Sequence, residues 1–266
     1  MIPLVYAGAH LLGFLIVIVA YHHWPKTQTT IQAYRPKTSG PFDKCHVDYA
    51  YSAPEPVITV NMAYASASVF LLSACFEIFY ATDGFGFGTY SEALIQGWNP
   101  YKFICNSLTS AIIFVLVALV SNTRDVGTLL TLALTSMGLQ FLAFSNESLL
   151  RGKGLVSRNV RDTLTSNSIV WWILFLALWT PIVYNLVALK DDAHVMGYQW
   201  YILIMQFLYF ASFGVIQLFQ MRSRLSGNSK YNFASTEGQW QTLGLFQNIS
   251  ITSAIIWALM YDPRNC

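Results

Sequence analysis

Two ionisable side chains lie inside apolar runs of membrane-spanning length: His10 in "AGAHLLGF" and Glu77 in "VFLLSACFEIFYATD". A charge at bilayer depth costs at least ~2.5 kcal/mol on insertion scales, so each has a functional reading. Glu77 could serve as a proton-relay or cation-binding carboxylate. The plainer reading, a neutral carboxyl hydrogen-bonded to a neighbouring helix, is favoured. For His10, titration or ligand binding competes with a neutral imidazole donating across a helix interface, and the second is favoured. The two segments are consecutive, which leads us to expect a Glu77–His10 contact. A third polar set lies in "FQNISITSAIIWALM" and the turns before it, where Gly244, Asn248 and Thr252 are four apart with Gln241 one turn earlier. That spacing places them on one helical face. Small and amide residues so placed join membrane helices, and Gln140, Asn185, Gln206 and Gln217 fit the same role.

No nucleophile–base pair, phosphate-binding loop or metal-type His/Cys spacing stands out, and no enzyme activity is expected. The elements that must position the polar groups are helices. Seven apolar segments are read, near 3–23, 57–82, 101–121, 126–148, 167–189, 196–221 and 239–261, against the about 20 residues that a crossing requires. The 266 residues are 55% hydrophobic and 11% charged, whereas soluble domains carry about a quarter charged residues. The expected class is all-α: one polytopic transmembrane domain over residues 1–266. A net charge of +2 argues against nucleic acid as a partner. The N-terminal run lacks a basic n-region and a cleavage site, and is read as a retained first helix.

Residues 24–56 form a long Pro-, Thr- and Tyr-rich first connection of a length that can hold a β-hairpin, expected opposite the N-terminus. With that loop set aside, Lys102, Arg151, Lys153, Arg158, Arg161, Arg222, Arg224 and Lys230 face Arg124, Lys190 and Arg264 across the membrane. The positive-inside rule then puts the N-terminus on the cytoplasmic side, or the matrix or stromal side in an organelle inner membrane. Cys45 and Cys266 fall on the opposite side, either as a disulfide or as two free thiols. Cys75 and Cys105 lie in apolar runs as small hydrophobes. Trp24, Trp98 and Trp240 sit where an interfacial belt would be. Trp171, Trp172, Phe175 and Trp179 are expected to offer an exposed aromatic surface.

The block "NPYKFICNSLTSA" resembles the one that opens helix three of the heliorhodopsins, and "TSMGLQFLAFSNE" resembles one that follows in helix four. "AGAHLLGF", "LLSACFEIF", "FLYFASFGVIQLFQMRSR", "YNFASTEGQW" and "ITSAIIWAL" resemble further blocks of that family in the same order. The resemblance implies a seven-helix, rhodopsin-like bundle of inverted topology with the N-terminus inside. It also implies where the retinal pocket would be. The family's retinal-bearing lysine falls on Thr252, its counterion glutamate on Cys105, its helix-two histidine on Glu77 and a serine on Asn248. The helix-one histidine is matched by His10. Without an amine at position 252 no Schiff base can form there.

The expected function is therefore non-photochemical: a structural or accessory subunit, or scaffold, of a larger membrane complex such as an organellar energy-transducing one, or a homodimer. Its partners would be the lipid bilayer and other membrane subunits or a second copy. No cofactor is expected. The alternative is proton or ion conduction, or noncovalent binding of a lipid, carotenoid or retinoid, in the former retinal cavity. A third reading, a light sensor, would require a different register.

Overall fold

The computed structural model describes residues 2–23, 28–33, 36–37, 50–51, 55–83, 86, 89–151, 157–188, 197–226 and 233–261. Among the described residues eight helices carry the architecture: α1 (Ile2–His23), α2 (Met62–Thr82), α3 (Tyr90–Gln96), α4 (Pro100–Val120), α5 (Val126–Leu150), α6 (Arg158–Ala188), α7 (Gly197–Ser226) and α8 (Phe233–Tyr261). Between α1 and α2 lie β1 (Gln28–Ala33), β2 (Pro36–Lys37), β3 (Ala50–Tyr51) and β4 (Glu55–Asn61). β1 pairs antiparallel with β4, with an irregularity between Ile31 and Gln32, and β2 pairs with β3. Cys45 and Cys266 lie outside the described residues.

Local chemistry sets the element boundaries. The apolar run expected to start a helix near residue 57 is extended through Asn61. There Asn61 Oδ1 accepts from Ala63 and Tyr64 N–H (3.1 and 3.2 Å), capping α2 and ending β4 at the same residue. The β-branched "VITV" before the cap favours a strand over a helix. Asp83 closes α2 in the left-handed conformation, and Asp125 caps α5 through Thr128 N–H at 2.7 Å. The short helix α3 was not anticipated from the sequence.

Six helices (α1, α2, α4, α5, α6 and α7) are long and apolar enough to cross a membrane, by length and composition among the described residues. Seven were expected. The remaining long helix, α8, has 29 residues, ample length at 1.5 Å per residue, but Thr236, Glu237, Gln241, Gln247, Asn248 and Thr252 make it more polar.

Side-chain pairs show how the helices run. Tyr6 of α1 meets Thr242 of α8 (2.6 Å), and Asn146 of α5 meets Asn167 of α6 (2.8 Å), both toward the end where α1, α4, α6 and α8 begin. Asn185 meets Thr123 (2.6 Å), and Gln199 meets the Val120 carbonyl (3.0 Å), at the far end. Consecutive long helices are thus antiparallel. The interhelical roles read for Asn185, Gln206 and Gln217 are found: Gln217 donates to the Ala143 carbonyl at 3.0 Å, and Gln247 to Gln206 at 3.2 Å.

The expected aromatic surface on α6 is turned inward. Trp171, Phe175 and Trp179 are buried, and Trp172 is packed against the core. Trp179 meets Phe114 at 5.2 Å and Phe207 at 5.5 Å between ring centroids, and Phe114 meets Phe210 at 4.4 Å. Gly214 of α7 permits the approach, because a Cβ there would lie 2.6 Å from the Trp171 ring. Beside these rings the exposed face of α6 is aliphatic instead, with Ile169, Ile173 and Leu176, and Tyr184 is its exposed aromatic further along. Trp240 is likewise buried rather than interfacial.

Candidate functional site

The most heavily built site is a buried ion cluster at the end where α4 and α8 begin. Asn99 and Pro100 start α4: the Asn99 Oδ1 accepts from Lys102 N–H at 3.3 Å, and proline at the first helical position needs no donor. The cap aims the next turn inward. Lys102 Nζ lies 3.0 Å from Glu237 Oε2 of α8 and 3.2 Å from Glu147 Oε2 of α5. Asn99 closes the ring, donating its side-chain amide to Glu237 and its backbone N–H to Glu147 (3.4 Å). Glu237 and Asn99 are 0% exposed, Lys102 7% and Glu147 8%. The rings of Phe103 and Trp240 flank the ammonium at 4.8 and 4.9 Å.

One lysine and two carboxylates leave a net negative charge in low dielectric, a costly arrangement unless further positive charge is near. Arg224 of α7 supplies it. Its side chain shares with Glu147 the wall of a cavity of about 20 Å³, and it donates to the carbonyls of Leu150 (3.4 Å) and Gly97. Gly97 is required there for two reasons: its φ is +62°, and any Cβ would collide with the Arg224 guanidinium. Arg151 adds an outer clamp, bonding Gln96 Oε1 at 2.7 and 3.0 Å and stacking 3.9 Å over Trp98. The α3–α4 corner is thereby tied to α5, α7 and α8 at once.

Tyrosines border the cluster. Tyr80 packs on Tyr90 and Tyr101, with centroids 4.8 and 5.4 Å away, and Tyr101 donates to Asp83 at 2.9 Å. Burial, together with the nearby Glu237 and Glu77 carboxylates, pushes the Tyr90 phenol up to about 12.

The residues anticipated from the sequence form a second, deeper and mostly neutral row. Asn248 of α8 donates to Ser73 of α2 at 3.2 Å, and Ser73 also shares a hydrogen bond with the Cys105 thiol of α4. Asn248 and Cys105 are therefore brought together through Ser73, a residue not singled out in the sequence. Glu77 accepts from Gln241 of α8 at 3.4 Å, so the expected Glu77–His10 pairing gives way to a Glu77–Gln241 one. His10 sits against Phe70 (5.9 Å between centroids), its Nδ1 buried without a partner. Thr252 is 5% exposed and its hydroxyl is also unpartnered.

Lys102, Glu147, Glu237, Asn99 and Arg224 were not picked out as a site from sequence. Each stands near a helix end, where a charged side chain ordinarily reaches water. One signal was available: the row Gln241, Gly244, Asn248, Thr252 continues one turn back to Glu237.

A heliorhodopsin family model matches residues 5–237. The chain belongs to the heliorhodopsin family. No curated protein matches it. The family match spans most of the bundle and includes Lys102, Glu147 and Glu237 of the ion cluster. It stops at Glu237, so the correspondence of Thr252 with the family's lysine rests on the resemblance of "ITSAIIWAL". Membership of this family and the six apolar helices make the chain an integral, multi-pass membrane protein.

Proposed function

We propose that this heliorhodopsin-family protein works without covalent retinal, through its surfaces, as a structural or accessory subunit or scaffold in a larger membrane assembly. In this reading α8 is a seventh crossing, and the N-terminus faces the cytoplasm, matrix or stroma. The observation that carries the proposal is the filling of the bundle between α4, α6 and α7. Phe114, Trp179, Phe207 and Phe210 occupy it with ring centroids 4.4 to 6.3 Å apart. The residues present do not fit a covalent retinal. Position 252 is threonine, and the bundle amine of Lys102 is held by two carboxylates near the end of the bundle. Extraction in mild detergent tests the role: co-migration with other membrane subunits, or as a stable dimer, is expected, and a lone monomer would contradict it.

One observation favours a second reading, one-sided proton exchange with the interior. Glu237, Gln241, Asn248 and Thr252 form a polar row along α8 from the ion cluster inward, with Glu77 bonded to it. Beyond it the far half is closed by Phe114, Leu116, Val117, Ile182, Leu186, Ile202 and Ile255, all at most 2% exposed. Proteoliposomes should therefore show no through-flux above empty liposomes. Flux that disappears in Glu77→Gln would favour conduction instead.

A further inference from the structure

A groove of about 890 Å³ runs along the outer side of α8, between α1 and α7. Tyr6 and Ala9 of α1, Ile216 of α7, and Gln239, Thr242 and Phe246 of α8 are among its walls, and among the described residues no charged side chain lines it. The small residues Ala9 and Gly238 hollow it out, and a Cβ at Gly238 would meet nothing within 4 Å.

Gln239 and the Tyr6–Thr242 pair lie toward the end where α1 and α8 begin, while Phe246, Ala9 and Ser212 lie deeper, the Ser212 hydroxyl being satisfied by the Leu208 carbonyl at 2.7 Å. The surrounding surface, Val5, Leu12 and Phe246, is exposed and apolar, the composition of a lipid-facing wall. From Gly238 to Phe246 the groove follows α8 for about 12 Å. A crossing partner helix would need a seam closer to the full ~30 Å of hydrocarbon. A hydrocarbon chain entering from the head-group level spans about half of that thickness, so the groove seats most of one chain.

We infer that this groove holds one acyl chain of a diacyl glycerolipid of either head-group charge, whose ester carbonyl accepts a hydrogen bond from the Gln239 side-chain amide. The described lining carries no charge to select a head group, and Gln239, at the end where α1 and α8 begin, orients the chain with its ester there. This goes beyond the retinal-free reading and stands on separate residues.

Native mass spectrometry of the full chain, extracted from phosphatidylcholine vesicles and washed in detergent, tests it. Wild type should retain one phosphatidylcholine, and phosphatidylglycerol to the same extent. Gly238→Leu and, on the facing helix, Ala9→Phe should each lower retention about tenfold, the effect of displacing roughly two methylenes. Gln239→Leu should lower it a few-fold. Unchanged retention in both filling variants would overturn the assignment, as would wild type losing its lipid in the first wash. A change of oligomeric mass in the filling variants, with no lipid held by wild type, would make the groove a protein contact and equally end the proposal.

Discussion

The two ends of the bundle are held by opposite chemistry. Where α4 and α8 begin, Lys102, Glu147, Glu237, Asn99 and Arg224 are interlocked by ion pairs and hydrogen bonds from four elements. In the far half Phe114, Trp179, Ile182, Leu186, Ile202 and Ile255 meet by shape alone. Apolar packing loses stability in proportion to the atoms removed. A buried charge network behaves as a unit, because deleting one member strands the others without water. The difference also separates what each end can do: one gathers charged groups that can hold or exchange protons, and the other is packed mainly with apolar side chains, with the Asn185–Thr123 and Gln199–Val120 hydrogen bonds at its rim.

The largest effect should come from Lys102→Met, which leaves two carboxylates buried without their cation. A loss of about 3–5 kcal/mol, seen as a fall of roughly 10 °C in thermal unfolding, is expected. Adding Glu147→Gln and Glu237→Gln should restore most of it. A mild Lys102→Met would mean that the cluster is not a unit. Phe114→Ala in the far half should cost about 3–4 kcal/mol, and no second polar substitution should rescue it. Rescue by one would break the contrast.

Gly97→Ala is expected to cost about 2 kcal/mol, from the positive φ and from displacement of Arg224. Substituting Gly138, which has open space around it, should cost little in the same assay. The smallest effect is a pH dependence. The Tyr90 phenol titrates near 10 when unfolded and near 12 when folded, so the folded state favours the neutral form. Its contribution is complete below pH 10 and is lost as pH rises toward 12. Tyr90→Phe should flatten the unfolding profile across that window, and an unchanged slope would place the phenol in water.

The apolar half was legible in the sequence because long hydrophobic runs need only length and composition to be read. The polar row on α8 was legible in part, since a four-residue spacing names a helical face without naming its partner. Glu77 shows the limit: its depth was evident, but Gln241, 164 positions away, could not be chosen over His10. The ion cluster was hidden for the same reason, since Lys102 meets partners 45 and 135 positions away. The inward turn of Trp171 depended on Gly214 of the next helix, a close approach that no pattern within α6 reveals.

The retinal-free reading faces its most direct test in reconstitution with all-trans retinal followed by borohydride reduction and peptide mapping. No visible pigment band and no retinyl-lysine adduct are expected. A visible band that survives washing, with an adduct mapped to Lys102 or any other lysine, would contradict that reading.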